Sequence, residues 1–182
     1  MNMRSLLSLA LSAVVLLSSC DKEDETNPQR DFSRTVPTTD FLMSSSQVVP
    51  AGASTSSATG SIEGSYDRRT KIFSYTLRWT GLAGTIISNG VHLHGTAERG
   101  YIAPPSPLGP WANGIVQVVP VTINSSNNRT GVYSGQLYVD GVAVKESDLL
   151  SGRYYFDIHT NQNATVQAAG EIRGQILFPV TQ

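Results

Sequence analysis

The sequence has a single cysteine, Cys20, so no disulfide can close within the chain. It has no surplus of basic charge: 13 Lys and Arg stand against 14 Asp and Glu, a net charge of −1. Without a basic stripe, nucleic acid is not an expected partner. Long helical periodicity is missing, as are clustered cysteines, a phosphate-cradling glycine loop and a Ser-His-Asp order. Gly81, Gly84, Gly95 and Gly100 read as turn and bulge glycines. No catalytic residue stands out, and the chain is read as a non-enzyme. The apolar run from Leu6 to Leu17 is too short to span the ~30 Å of a bilayer core, which takes ~20 residues. What remains is Gly, Ser and Thr in abundance over 182 residues, which suits one domain of short strands joined by turns.

The first twenty residues read as an address. Arg4 supplies a positive start, Leu6 to Leu17 has the length of a signal-peptide apolar region, and Leu17-Ser18-Ser19-Cys20 follows. This segment resembles a lipobox, in which the cysteine thiol receives a diacylglycerol. The lone Cys sits where acylation needs it, and two or more acyl chains anchor stably. Asp21-Lys22-Glu23-Asp24-Glu25 is a charge run that resists burial. Lys followed by acidic residues resembles the export signal of Bacteroidetes surface lipoproteins; Asp directly after the Cys resembles an enterobacterial inner-membrane retention signal. The whole cluster favours the first. The expected organisation is a signal peptide over residues 1–19, a lipidated acidic tether and linker over 20–39, and one domain over 40–182. The expected place is the cell envelope, on the outer membrane and facing outward, with the membrane as partner through Cys20.

From Asp40 onward the pattern has period two. Phe41-Leu42-Met43 opens a strand ending near Pro50. Gly60, Ile62, Gly64 and Tyr66 alternate with polar residues, Asp67 to Thr70 is a turn, and Phe73, Tyr75, Leu77 and Trp79 alternate again. Such alternation marks half-buried antiparallel strands. Ile86 to Gly95, interrupted at Asn89-Gly90, then Ile115 to Ile123, Val132 to Val139, Arg153 to Thr160 and Gly170 to Phe178 are further strands. Lys145 to Leu150 reads as one helical turn. Thr96 to Asn113 carries Pro104, Pro105, Pro107 and Pro110 and reads as a long exposed loop, a kind that is uncommon unless functional. About eight short strands predict an all-β fold, an antiparallel β-sandwich or Greek-key barrel.

Four segments in order carry a resemblance: Ser46-Gln47-Val48-Val49-Pro50, then Ser57-Ala58-Thr59-Gly60, then Val91-His92-Leu93-His94-Gly95. The last is Tyr155-Phe156-Asp157-Ile158-His159-Thr160 with Gly170-Glu171-Ile172-Arg173-Gly174-Gln175. Together, over roughly residues 41–178, they resemble the CHRD (chordin-type) domain. The loops after Gly95 and between His159 and Gly170 are longer than that pattern. The family occurs in an extracellular antagonist of growth factors and in exported microbial proteins. The resemblance implies a β-sandwich; with the tether and the lack of catalytic groups it points to a non-enzymatic, surface-tethered binding module, and the aromatic and proline side chains of the long loop suit an extracellular protein or glycan as partner.

The three histidines of the chain, His92, His94 and His159, all lie in these motifs. His92 and His94 are two apart on a strand and share a face, with Val91 and Leu93 on the other. Asp157 and His159 likewise share a face opposite Phe156 and Ile158. If the two strands are neighbours, three imidazoles converge, and imidazole suits copper and zinc. Two readings stand side by side: a copper- or zinc-binding envelope protein, and structural histidines bonded across strands or to Asp157, Glu171 or backbone. The His-x-His strand is also similar to the copper strand of copper/zinc superoxide dismutase, but the further ligands of that enzyme cannot be placed. Glu171 and Arg173 share a strand face and are expected to form a cross-strand ion pair. On the long loop, Tyr101 and Trp111 are candidate ligand contacts, with Trp111 alternatively folded back as a lid.

Overall fold

The structure, a computed structural model, describes residues 29–32 (backbone only), 42–102, 114–121, 128–162 and 170–178. Its strands are β1 (Gln29–Phe32), β2 (Leu42–Ser44), β3 (Thr59–Asp67), β4 (Ile72–Thr80), β5 (Ile86–Gly95), β6 (Ile115–Val118), β7 (Gly131–Tyr138), β8 (Tyr154–Thr160) and β9 (Ile172–Gln175). One helical turn, α1 (Glu146–Leu150), stands where the sequence predicts it. Every strand pair is antiparallel, in the order β6-β5-β8-β9-β2-β3-β4-β7. The fold is all-β, and the eight strands of this path form one nearly closed, barrel-like sheet. The pairs β4–β7, β5–β8 and β2–β9 join strands far apart in the chain. The ends of the path are bridged by Gln117, whose amide donates to the Gln136 carbonyl at 3.2 Å and whose Oε1 accepts from the Tyr75 hydroxyl at 2.9 Å.

The period-two alternation produces the barrel wall directly. On β4, Phe73, Tyr75, Leu77 and Trp79 point inward and are buried, while Ser74, Thr76, Arg78 and Thr80 point outward. Their interior partners are Met43, Ile62 and Tyr66 from β2 and β3, Val91 and Leu93 from β5, and Phe156 and Ile158 from β8. Each fully buried side chain of this size stabilises the fold by about 1.5–3 kcal/mol. Gly95 is not a bulge glycine. It faces Tyr154 across β5 and β8, and a Cβ there would lie 2.1 Å from the tyrosine ring. The ring occupies the space a side chain would need.

Four boundaries differ from the sequence reading. The strand expected to end near Pro50 stops at Ser44, where the chain tightens into a 3₁₀ turn over Ser45–Gln47. Gln29–Phe32, inside the segment read as linker, pairs with the second half of β3, on the edge whose first half pairs with β2. The strand from Ile115 ends at Val118, and that from Gly170 spans only Ile172–Gln175. Local alternation marks a segment as extended, but ladder partners decide where a strand stops.

The β3–β4 hairpin turns on Asp67, whose Oδ1 accepts from the backbone N–H groups of Arg69 (2.8 Å) and Thr70 (3.3 Å). Glu146 on α1 clamps this hairpin. It receives the Tyr66 hydroxyl at 2.8 Å, Lys71 Nζ at 2.7 Å and Arg68 Nε at 3.1 Å. Burial pulls the Glu146 carboxyl up, but Lys71, Tyr66 and Arg68 outweigh it and hold it below its ordinary value. A depressed carboxyl contributes stability that is present above the unfolded pKa of about 4.3 and lost as pH falls through the folded value. Lowering pH from 6 to 3 therefore costs the parent more melting temperature than Glu146→Gln, by the equivalent of about 0.5 kcal/mol for a partly exposed cluster. Equal losses in the two proteins would show that the clamp contributes nothing.

No helix among the described residues is long and apolar enough to cross a membrane. Cys20, Trp111 and the loop around Trp111 lie outside the described residues.

Candidate metal centre

The chemistry gathers on the outer side of β5, β8 and β9. Strands half-buried on one face usually carry solvated residues on the other. Here the outward residues His94, Tyr155, Asp157, His159, Arg173 and Gln175 are all buried. They form a second, polar interior outside the barrel. Part of its cover is the segment after β5, where the Gln175 amide donates to the Ala97 carbonyl (2.8 Å) and Arg173 Nη1 to the Tyr101 carbonyl (2.8 Å); the Gln175 amide also donates to the Gly152 carbonyl in the turn before β8 (2.7 Å).

β5 and β8 are neighbours, with His92 opposite Asp157 and His94 opposite Tyr155. The three sequence-predicted histidines therefore come together, and the structure adds Asp157. Donor atoms of His92, His94, Asp157 and His159 all lie within 4.8 Å of one another. His92 Nδ1 and His159 Nε2 are each 3.3 Å from Asp157 Oδ1, and His94 Nε2 is 3.0 Å from Oδ2. Asp157 was the member missed as a candidate ligand. Its signal was its place two residues before His159, on the same face of one strand.

The electrostatics turn on Asp157, whose side chain is only 3% exposed. Burial pushes its carboxyl up, but the charge of His94 and the close approach of all three imidazoles prevail, holding it well below the usual carboxylate range. An ionised carboxylate this deep requires positive charge beside it. Yet neither Asp157 Oδ1 nor His92 Nδ1 has a well-directed hydrogen bond among the described residues, despite their 3.3 Å separation. The atoms converge, but no N–H is aimed along the line. Metal donors meet in this way: tetrahedral ligands at ~2.0–2.1 Å from an ion are ~3.3 Å from one another.

Arg173 extends the cluster. Its guanidinium lies 3.5 Å from the centroid of the Tyr155 ring, and that ring stacks on His94 at 4.8 Å with an interplanar angle of 4°. The expected Glu171–Arg173 ion pair does not form. Arg173 bonds Tyr101 and Gln175, whereas Glu171 precedes β9 and turns to Ser56, Ala83, Gly84 and Thr160. Two backbone N–H groups of the β4–β5 loop and the Ser56 and Thr160 hydroxyls reach the carboxylate. Tyr101, the described ligand-contact candidate, is 67% exposed while its carbonyl is held from below.

The CHRD domain model matches residues 39–176. The chain belongs to the CHRD domain family. The four motif segments recognised in the sequence all fall inside the match. In this CHRD domain the His-x-His-Gly strand and the Asp-Ile-His strand are adjacent β5 and β8, and the Gly-Glu-Ile-Arg-Gly-Gln segment forms the approach to β9 and the whole of that strand. The CHRD match is consistent with a binding module. No curated protein and no solved structure matches the chain.

Proposed function

We propose that this protein is a lipid-anchored, non-enzymatic envelope module whose CHRD domain binds zinc or copper(II) through His92, His94, Asp157 and His159. The observation that carries the metal reading is the convergence of these four donors, with His92 Nδ1 and Asp157 Oδ1 close but not hydrogen-bonded. Three imidazoles and a carboxylate, with no thiolate or thioether among them, suit zinc and copper(II) better than copper(I), magnesium or calcium. Four protein donors fill a tetrahedral shell, as in structural sites; catalytic zinc keeps a position open. His92, with 14% of its side chain exposed, lies on the route by which an ion enters. Titrating zinc chloride, and separately copper(II) chloride, into the metal-free full-length protein in detergent is expected to show one ion bound per chain. Uptake only at several weak sites would overturn the reading.

Anchoring rests on the lipobox-like Leu17-Ser18-Ser19-Cys20 and the acidic run that follows. Cells given labelled palmitate are expected to label this protein through Cys20. Cys20→Ser abolishes the label and releases the protein from the membrane fraction. Label retained in Cys20→Ser would remove the anchor.

The reading of the domain as a partner-binding module is supported by Tyr101, whose exposed ring sits on a backbone pinned by a buried arginine. A presented side chain on an ordered segment loses less entropy on docking to a protein or glycan than one on a loose loop.

A further inference from the structure

Two routes connect the metal donors to the segment after β5, residues 96–102. The first is the chain itself, since His94 is two residues before Thr96 and Gly95, the last residue of β5, lies against the Tyr154 ring. The second is a stack of side chains. His94 lies flat on Tyr155, Tyr155 carries the Arg173 guanidinium, and Arg173 donates to the Tyr101 carbonyl. Gln175 extends this layer by accepting from Arg173 Nη2 at 3.1 Å and donating to the Ala97 carbonyl. An ion bound at His94 adds a directional coordinate bond to its 3.0 Å contact with Asp157 and so fixes the plane of the ring. The ring plane sets the Tyr155 face, and that face is where the buried cation gains its cation–π attraction.

We infer that metal occupancy sets the pose of residues 96–102, so that the exposed Tyr101 surface is ordered with the ion bound and loosened without it. This rests on the metal reading above and adds its regulatory consequence: the ion acts as a switch for a contact surface of the domain. Tyr155 is the positioning residue of this switch and is not itself a metal ligand.

Trypsin reads the segment directly, because Arg99 is exposed within it. In the full-length protein in detergent, saturating zinc is expected to slow cleavage after Arg99 by roughly tenfold or more, since cleavage of a native loop follows the population of its open form. Cleavage after Arg78, in the middle of β4, reports opening of the barrel and is expected to change less. Tyr155→Phe keeps both stacks and retains the zinc effect. Tyr155→Leu keeps apolar bulk but no ring; it binds zinc within about threefold of the parent and loses the protection at Arg99. Zinc uptake in the parent with no change at Arg99, or full protection in Tyr155→Leu, overturns the switch and leaves the metal site standing. Absence of zinc uptake in the parent removes the metal reading, and the switch falls with it.

Discussion

Replacing His92 and His94 together by alanine is expected to weaken zinc binding by more than about 100-fold, since loss of even an outer-shell partner costs 10–100-fold. The double change removes two of the four donors from β5 and leaves Asp157 and His159 on β8, too few to fill a tetrahedral shell. The thermal signature separates a ligand role from a structural one. At 100-fold excess over its dissociation constant, an ion that binds only the folded state stabilises it by about 2.7 kcal/mol. For a chain of this size that is about 5–10 °C in melting temperature. The parent should gain this increment on addition of zinc, and the double variant should gain none. If the histidines merely support Asp157, both proteins lose or keep stability identically with and without the ion. A parent melting temperature insensitive to zinc and copper(II) is the result that sinks the site. Asp157→Asn sharpens the test. It keeps the shape of the side chain but removes the anionic donor, leaving three imidazoles around an amide, and metal affinity is expected to fall by about 100-fold or more.

Glu171→Ala is expected to lower stability by about 3 kcal/mol, equivalent to about 6–12 °C. The Glu171 carboxylate is fully buried and receives the Ser56 hydroxyl and the Ala83 N–H at 2.6 Å, the Gly84 N–H at 3.4 Å and the Thr160 hydroxyl. It thereby joins the loop before β3, the loop between β4 and β5, and the end of β8. Alanine leaves these donors inside the protein without an acceptor, and unsatisfied buried donors cost about 1–3 kcal/mol each. Part of the loss is recovered as water enters the polar cavity lined by Ser56, Gly81, Ala83 and Arg129 beside these loops. Glu171→Gln is informative because it retains size while presenting an amide N–H₂ to backbone donors; it should fall between the parent and alanine. Chemical denaturation with an unchanged slope would show the loss to be one of native stability. A loss below about 1 kcal/mol for alanine would mean the two loops and the end of β8 are held by their other contacts.

Much of the barrel was legible because alternation is a local property. Phe73, Tyr75, Leu77 and Trp79 announce the face they bury, and the Asp67 turn and the short α1 helix carry their own local chemistry. The same logic placed His92 with His94, and Asp157 with His159. Elsewhere local reading failed for a physical reason. Gly95 looked like a bulge glycine, and only its cross-strand neighbour Tyr154 shows that a ring occupies the space of its side chain. Glu171 and Arg173 looked like a pair because they are two apart. Their partners come from Ser56, Ala83, Tyr101 and Tyr155, which no spacing rule connects to them.

The sequence by itself determined the all-β class, the two faces of each main strand and the membership of the CHRD family, since each depends on residue order over a few positions or on motifs in series. The tertiary structure alone decided that β5 lies beside β8 with His92 opposite Asp157, and that their outer face is buried. Register between strands some sixty residues apart is set by the best burial of the whole sheet, and a one-residue slip would send His92 and His94 to the interior and Val91 and Leu93 out.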